Sequence, residues 1–389
     1  MTVRRVSLFF PRRNSFYAGV LRQMTLGFET CGVEVMGHLG LLPAEELCDW
    51  CRLHRPDVVF EMNRPGCEVQ NLPAGVRHVV WVVDMQGRGM GYYEGSAITY
   101  FLILGSERSY PHSSFCRWMG PGSCPTDYPE AAHSPETTVS FVGHIPRPWS
   151  STELGRNVTG GRAPITLRDL VEPLTERLLS IREMRHEERA KNRLGRTGKS
   201  HVLKLASQIC MEKAGVPLLV DERLAYDIDG RMVRYANRRE LGDLLVDGTA
   251  TTDIYGSENW MLWPQYAAYY RGWLDTPVKM HGVYRRSVVN VHEGVGIHFR
   301  SMDILSTGGL LFFRATGYDR YHGGIGSIFE AGEHYVPFSV VDFRDKVDLY
   351  SRDRDRAQRI RRAAAAEIRA KHTWTHRTRQ ILDDLHHLD

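Results

Sequence analysis

The sequence predicts an α/β protein of two Rossmann-like lobes, each a doubly wound parallel sheet. Three observations predict it. Short apolar runs alternate with helical stretches at intervals of roughly 20–25 residues through the amino half, the rhythm of β-α-β units. The chain of 389 residues is too long for one ordinary core, so two domains are the default. A further strand–loop–helix–strand unit spans residues 287–313, remote from the first series, and calls for a second sheet.

In the amino half, Val3–Phe10 reads as a buried first strand, followed by a loop from Pro11 to Ser15 and a helix from Phe16 to Cys31. Val33–Met36 is a short second strand, Pro43–His54 a helix, and Asp57–Glu61 a strand placed after Pro56. His78–Val83 is a continuous apolar strand ending at Asp84, and Thr99–Leu104 is another. No Gly-x-Gly-x-x-Gly follows the first strand, which argues against a dinucleotide site there. Gly120–Pro135 is rich in Gly, Pro, Ser, Cys and Asp and reads as a linker. It divides an amino-terminal lobe, 1–130, from a second lobe, 131–360, which is followed by a helical tail, 361–389.

Val139–Val142 opens the second sheet, and Pro146–Pro164 reads as loop. Leu167–Arg193 is a long charged helix, with strands at Leu218–Val220 and Thr252–Tyr255. The tail from Arg354 to Leu385 is helical, with a break near Thr373.

Composition narrows the function. Hydrophobic content of 42% and charged content of 25% are ordinary for a globular protein. A formal net charge of +4 suits anionic small molecules and does not by itself argue for nucleic acid. No run of about 18 apolar residues is present, so no membrane span is expected. Seven cysteines at irregular spacing suggest reduced thiols and a cytoplasmic location.

The stretch with the most chemistry is Asn290–Phe313. An apolar strand gives way to a loop carrying Gly294 and Gly296, then to a helix from Phe299 to Thr307 ended by Gly308 and Gly309. A helix start after a glycine loop offers unpaired amides to an anion. Arg300 adds a forked cation suited to a pyrophosphate, and Asp303, three residues on, could accept hydrogen bonds from ribose hydroxyls. Ligands of open α/β sheets sit beyond the carboxyl ends of strands, which adds Gly143 and His144 after Val142 as phosphate contacts.

These residues carry a resemblance. Arg300-Ser-Met-Asp303-Ile-Leu-Ser-Thr-Gly308-Gly309 resembles, in order, the Arg-x-x-Glu-Ala-x-Ala-x-Gly-Gly helix of the spore-maturation-type (CgeB-like) glycosyltransferases. Phe141-Val142-Gly143, Tyr255-Gly256 with Trp260, Tyr270-Arg271-Gly272 and His372-Thr-Trp with Arg377 extend the match. Asp303 stands where that family has Glu. The resemblance implies the GT-B fold, two Rossmann-like domains facing a central cleft, with the last helix crossing back to the first domain. It implies a nucleoside-diphosphate sugar, UDP-linked, as donor on the second lobe, and metal-independent transfer without a bound cofactor. Gly308, Gly309 and Gly256 would then line the donor, with Trp260 as a stacking wall for the base.

The acceptor would bind the first lobe, a small molecule or glycan being favoured over nucleic acid. Sugar transfer needs a base for the acceptor hydroxyl. Asp84 is the first choice, with His38 and Glu61 also at strand ends, and Arg13, Asn14 and Tyr17 as acceptor contacts. Retaining GT-B enzymes often pair two glutamates with seven residues between them. The partner position of Asp303 is Val295, which favours inversion.

Other motifs weigh less. Gly195–Ser200 imitates a P-loop but has two residues between its glycines instead of four. The basic span Arg182–Lys204 is diluted by glutamates and reads as a solvated helix face on which an anionic acceptor or nucleic acid could dock. Cys48 and Cys51 lack the second pair a zinc site needs. Asp227-Ile-Asp229-Gly230 reads as a hairpin turn, not a metal motif. Two alternatives remain for the whole chain: a nucleotide-sugar epimerase on the same fold, or a non-catalytic protein binding nucleotide sugar or nucleic acid.

Overall fold

The computed structural model describes residues 2–85, 88, 90–102, 105–132, 135–159, 164–180, 201–247 and 251–388. The first sheet comprises β1 (Arg5–Phe10), β2 (Glu34–Leu39), β3 (Val58–Met62), β4 (Arg77–Val82), β5 (Ile98–Phe101) and β6 (Phe115–Trp118), in the order β2-β1-β3-β4-β5-β6. The second comprises β7 (Thr137–Val142), β8 (Thr252–Tyr255), β9 (Tyr270–Gly272), β10 (Ser287–His292), β11 (Leu311–Arg314) and β12 (Val336–Phe338), in the order β12-β11-β10-β7-β8-β9. All neighbouring strands in both sheets run parallel. The central strands are buried on both faces because helices cover both.

The helices that matter here are α1 (Ser15–Thr30), α2 (Ala44–His54), α3 (Leu167–Ser180), α4 (His201–Ala214), α5 (Val233–Val246), α6 (Pro277–Arg286), α7 (Phe299–Ser306), α8 (Phe343–Arg352), α9 (Arg354–Lys371) and α10 (Trp374–His386). α1 begins because Asn14 caps it, its side-chain oxygen accepting from the Tyr17 amide at 3.0 Å. α10 leaves the second lobe and packs on α1 and the first sheet. Gly27 makes this possible: a Cβ there would sit 3.1 Å from the Trp374 backbone. Tyr100 and Arg117 both donate to Asp384 at 2.7 Å, and Arg77 donates to the Leu385 carbonyl at 2.8 Å.

The two crossings between lobes run side by side. The Ser123 amide donates to the His372 carbonyl at 2.9 Å, and the Trp374 amide to the Ser123 carbonyl at 3.1 Å. Gly122 admits this, since a Cβ would lie 2.6 Å from the Trp374 nitrogen. The break at Thr373 is a capping box with His376.

Several expectations are corrected. Leu218–Val220 is not a strand; it follows α4, and Leu219 and Val220 are exposed. Asp227-Ile-Asp229-Gly230 is not a hairpin turn but part of a π-helical stretch, Tyr226–Met232, in which buried Asp227 pairs with Arg156 and Arg231. The short strands β6, β9 and β12 are additions to the sequence reading. The latter part of Leu167–Arg193, most of Arg182–Lys204 and all of Gly195–Ser200 lie outside the described residues. No described helix is long and apolar enough to cross a membrane.

Candidate active site

The carboxyl edge of the second sheet is tied by two glycines. The Gly143 amide donates to the Tyr255 carbonyl at 2.9 Å. A Cβ on Gly256, whose φ is +133°, would stand 1.9 Å from the Gly143 oxygen. The close approach these glycines permit is therefore between two backbones, β7 to β8. Trp260 completes the clasp, its indole donating to the Gly143 carbonyl at 3.0 Å. Its ring is fully buried, edge-on to Phe141 and Tyr266. This corrects Trp260 as a wall for the base: an enclosed indole has no face to offer.

His144 follows the clasp and is exposed. Its Nδ1 lies 2.9 Å from the Ser257 hydroxyl, and its carbonyl accepts from Arg238 Nε at 2.8 Å. Burial, with the positive charges of Arg234, Arg238 and Arg300, holds its imidazole below the ordinary value. Arg234 and Arg238 lie one turn apart on α5, so both reach the same edge. Arg300 enters from α7 and donates to the Val142 carbonyl. Arg238 pairs with buried Glu293 at 2.8 Å, whereas Arg234 and Arg300 form no ion pair among the described residues. Three guanidinium groups and an imidazole thus gather beyond β7 and β10 around one carboxylate. That surplus of positive charge is what an anion such as a diphosphate requires.

The start of α7 differs from expectation. His298 caps it, Nδ1 accepting from the Arg300 amide at 3.2 Å, so that amide is already occupied. Phe299 packs across onto the first lobe, 5.0 Å from Phe16 and 5.7 Å from Trp81 between ring centres. The helix start faces the other lobe, but the cations around it, more than its amides, make the anion site. Asp303, half-buried, faces the interlobe connection, with the Ser123 hydroxyl at 3.5 Å and the Tyr128 hydroxyl beside it. Burial raises its carboxyl well above the ordinary range, against the lowering effects of Tyr128, Ser123 and Arg300. Gly308 and Gly309 are corrected as donor contacts. They end α7 at the amino edge of the sheet, away from His144, because a crossover helix runs opposite to its strands. Gly308, at φ +72°, and the Gly309 amide bonded to the Ile304 carbonyl at 2.9 Å form a helix stop.

Across the cleft, Asp84 is exposed after β4. Buried Asn63, at φ +66°, fixes it by accepting from the amides of Val83 at 2.7 Å and Asp84 at 3.0 Å. Tyr17 is its neighbour. Burial raises the Tyr17 hydroxyl, Arg12 opposes that rise and Asp84 adds to it. Glu61 is corrected as a base. It is completely buried and held by Arg64 and by His78 at 3.1 Å. Burial pushes its carboxyl up, but those hydrogen bonds outweigh burial and keep it below the ordinary range. His38 is corrected too: its ring lies over the sheet face near Phe9 and Trp50, with Nδ1 2.8 Å from the Gly40 carbonyl. Arg13 is exposed and donates to the Leu39 carbonyl at 3.1 Å, and Asn14 is the α1 cap.

Residues 231–383 match the family described as glycosyl transferase-like. An α-glucosyltransferase solved in complex with UDP and a 13-mer DNA containing a central A:G mismatch aligns over 97% of this chain and 99% of its own, with a TM-score of 0.54 and 11% identity. The chain has the GT-B fold and carries a glycosyltransferase-like domain. AviGT4, a glycosyltransferase of avilamycin A biosynthesis, aligns with a TM-score of 0.46 at 10% identity, covering 98% of each chain. The spinosyn forosaminyltransferase SpnP aligns with 0.44 at 11% identity, covering 98% of this chain and 100% of its own. No curated protein matches the chain in sequence.

Three residues at the carboxyl edge of the second sheet escaped the sequence reading. Arg234 and Arg238 were legible as an Arg-x-x-x-Arg pair on a helix, but nothing local says that this helix returns to β7. Trp273 follows β9 and is 61% exposed. Its neighbour Gly272 accepts from the Gly256 amide at 3.0 Å, which ties the backbone before Trp273 to the loop that carries Ser257. An exposed aromatic immediately after a strand end was the available signal.

Proposed function

We propose that the protein transfers a sugar from a nucleoside-diphosphate sugar, UDP-linked, to a hydroxyl of an acceptor held on the first lobe, with inversion and without a metal. The observation that carries this reading is the group of His144, Arg234, Arg238 and Arg300 at the carboxyl edge of the second sheet. The three guanidinium groups would take the diphosphate and stabilise its charge as it leaves, the part a metal ion plays elsewhere, with the uncharged His144 imidazole beside them. Asp303 would receive the ribose hydroxyls and Trp273 the base. Asp84, exposed opposite and near Tyr17, would take the acceptor proton as the sugar carbon is attacked from the face opposite the diphosphate. Glu293 is engaged by Arg238, and Val295 is apolar, so no acid of the β10–α7 loop stands ready to serve as a retaining partner. The finer placement, among the spore-maturation-type glycosyltransferases, rests on the motif resemblance together with the family match at 231–383.

Calorimetric titration with UDP tests the donor site. The wild type should bind, and Arg300→Ala should weaken binding at least tenfold, as loss of a charge-assisted contact of about 1.5–3 kcal/mol requires. Asp84→Asn should keep UDP affinity and lose transfer by about 10²–10⁴-fold. Unchanged turnover in either variant would remove that residue from the mechanism.

A further inference from the structure

We propose that Arg231, buried behind the loop that follows β7, is a positioning residue for the donor: with four other side chains it occupies every backbone carbonyl of residues 143–148, so that this strap meets a diphosphate with hydrogen-bond donors alone. The proposal rests on the reading of the carboxyl edge of the second sheet as the diphosphate site.

Six consecutive carbonyls accept from side chains of one segment, 231–263. Gly143 accepts from the Trp260 indole at 3.0 Å and His144 from Arg238 Nε at 2.8 Å. Ile145 accepts from Asn259 Nδ2 at 2.9 Å and Pro146 from the Trp263 indole at 3.0 Å. Arg147 and Pro148 both accept from one Arg231 nitrogen at 3.1 Å. Pro146 and Pro148 stiffen the strap further by fixing φ. A carbonyl oxygen turned toward a phosphate repels it, and here all six are engaged elsewhere. The amides of His144 and Arg147, by contrast, have no acceptor among the described residues. Donors held in place beforehand need no rearrangement when the anion arrives.

Arg231 is 7% exposed. It pairs with Glu153 at 2.9 Å, and its guanidinium lies 4.4 Å from the centre of the Trp149 ring. It belongs to the π-helical stretch Tyr226–Met232, a rare turn that recurs at functional sites. α5 begins at the end of that stretch, so Arg234 follows Arg231 by one turn and Arg238 by two. The strap is thus held at 144 by Arg238 and at 147 and 148 by Arg231. Strap and cations are anchored on the same few turns of helix.

The test compares UDP, titrated calorimetrically into the full chain, with uridine, followed by ligand-observed NMR. Uridine has no phosphate and reports on base and ribose contacts alone. Arg231→Lys keeps a cation beside Asp227 and Glu153 but loses the fork that serves Glu153 and the strap at once. It should bind UDP several-fold more weakly and uridine as the wild type does. Trp263→Phe removes the bond to Pro146 and retains a ring against Tyr235. It should shift UDP in the same direction by less, and it serves if Arg231→Lys does not fold. A residue that only supports the fold would weaken both ligands alike or neither. Either outcome, in variants that melt like the wild type, overturns the proposal while the donor site stands. A wild type that binds no UDP overturns the donor reading itself, and the positioning role with it.

Discussion

A methyl group on Gly256 would stand 1.9 Å from the Gly143 oxygen, at a φ that side chains rarely adopt. Neither partner can yield cheaply. Gly143 is pinned by the Tyr255 carbonyl and by the Trp260 indole, and its own Cβ direction is filled by the Phe141 ring at 2.3 Å. Gly256→Ala should therefore cost more than ordinary left-handed strain of about 1–3 kcal/mol. It should also loosen His144 through Ser257, so UDP affinity falls with stability. Urea unfolding followed by UDP titration of the folded fraction checks both, and a normally stable variant would show that the loops are not clasped as described. At this scale the sequence was half legible. It marked Gly143 for a phosphate and Gly256 for the lining of the donor, but what each glycine meets is the other's loop. That distinction depends on which backbones meet, and residues 143 and 256 are too far apart in the chain for any local pattern to pair them.

Strands and helices bring acids to the cleft or hide them, and β3 with β4 does the latter. Their registers set Glu61 against Val80 and place His78 beside Val59, so both side chains meet on one sheet face, where Arg64 closes over them. Glu61→Ala would leave Arg64 buried without its carboxylate and should destabilise by about 3–5 kcal/mol. Glu61→Gln should be milder and keep full transfer per folded molecule; denaturant unfolding with activity normalised to folded protein separates the two. A stable but inactive Glu61→Gln would restore the catalytic role denied to it here. Long apolar strands such as β1 and β4 announced themselves, because burial on both faces demands uninterrupted apolar residues. The three- and four-residue strands β6, β9 and β12 carry too few residues to show a period. Leu218–Val220 has the composition of a strand, but its Leu219 amide reaches an irregular segment, donating to the Val158 carbonyl at 3.0 Å, and joins no sheet. The Asp227 stretch shows tertiary ion pairs with Arg156 and Arg231 overriding the turn preference of Asp-Gly.

Across the whole molecule, the lobes are joined where Ser123 lies against the break between α9 and α10, and this joint contains a titrating group. Burial, reinforced by Arg377, lowers the His372 imidazole to about 4, while Glu367, 3.7 Å away, opposes the shift. Arg377 itself is buried, donates to the Gly120 carbonyl at 2.9 Å and lies 3.2 Å from His372 Nδ1. A protonated His372 would thus sit enclosed beside a cation. In the unfolded chain the same imidazole titrates near 6.5. Between those values the unfolded state binds the extra proton, so stability is present above about 6.5 and is lost as pH falls toward 4. The loss should be on the order of 2–3 kcal/mol, concentrated at the joint. Melting temperatures of wild type and His372→Gln, measured from pH 7.5 to 4.5, should converge at the acid end as the wild type loses this contribution and the variant, with nothing to titrate there, does not. Parallel curves would mean that His372 is solvated in the folded protein, and that the joint is looser than its hydrogen bonds to Ser123 imply.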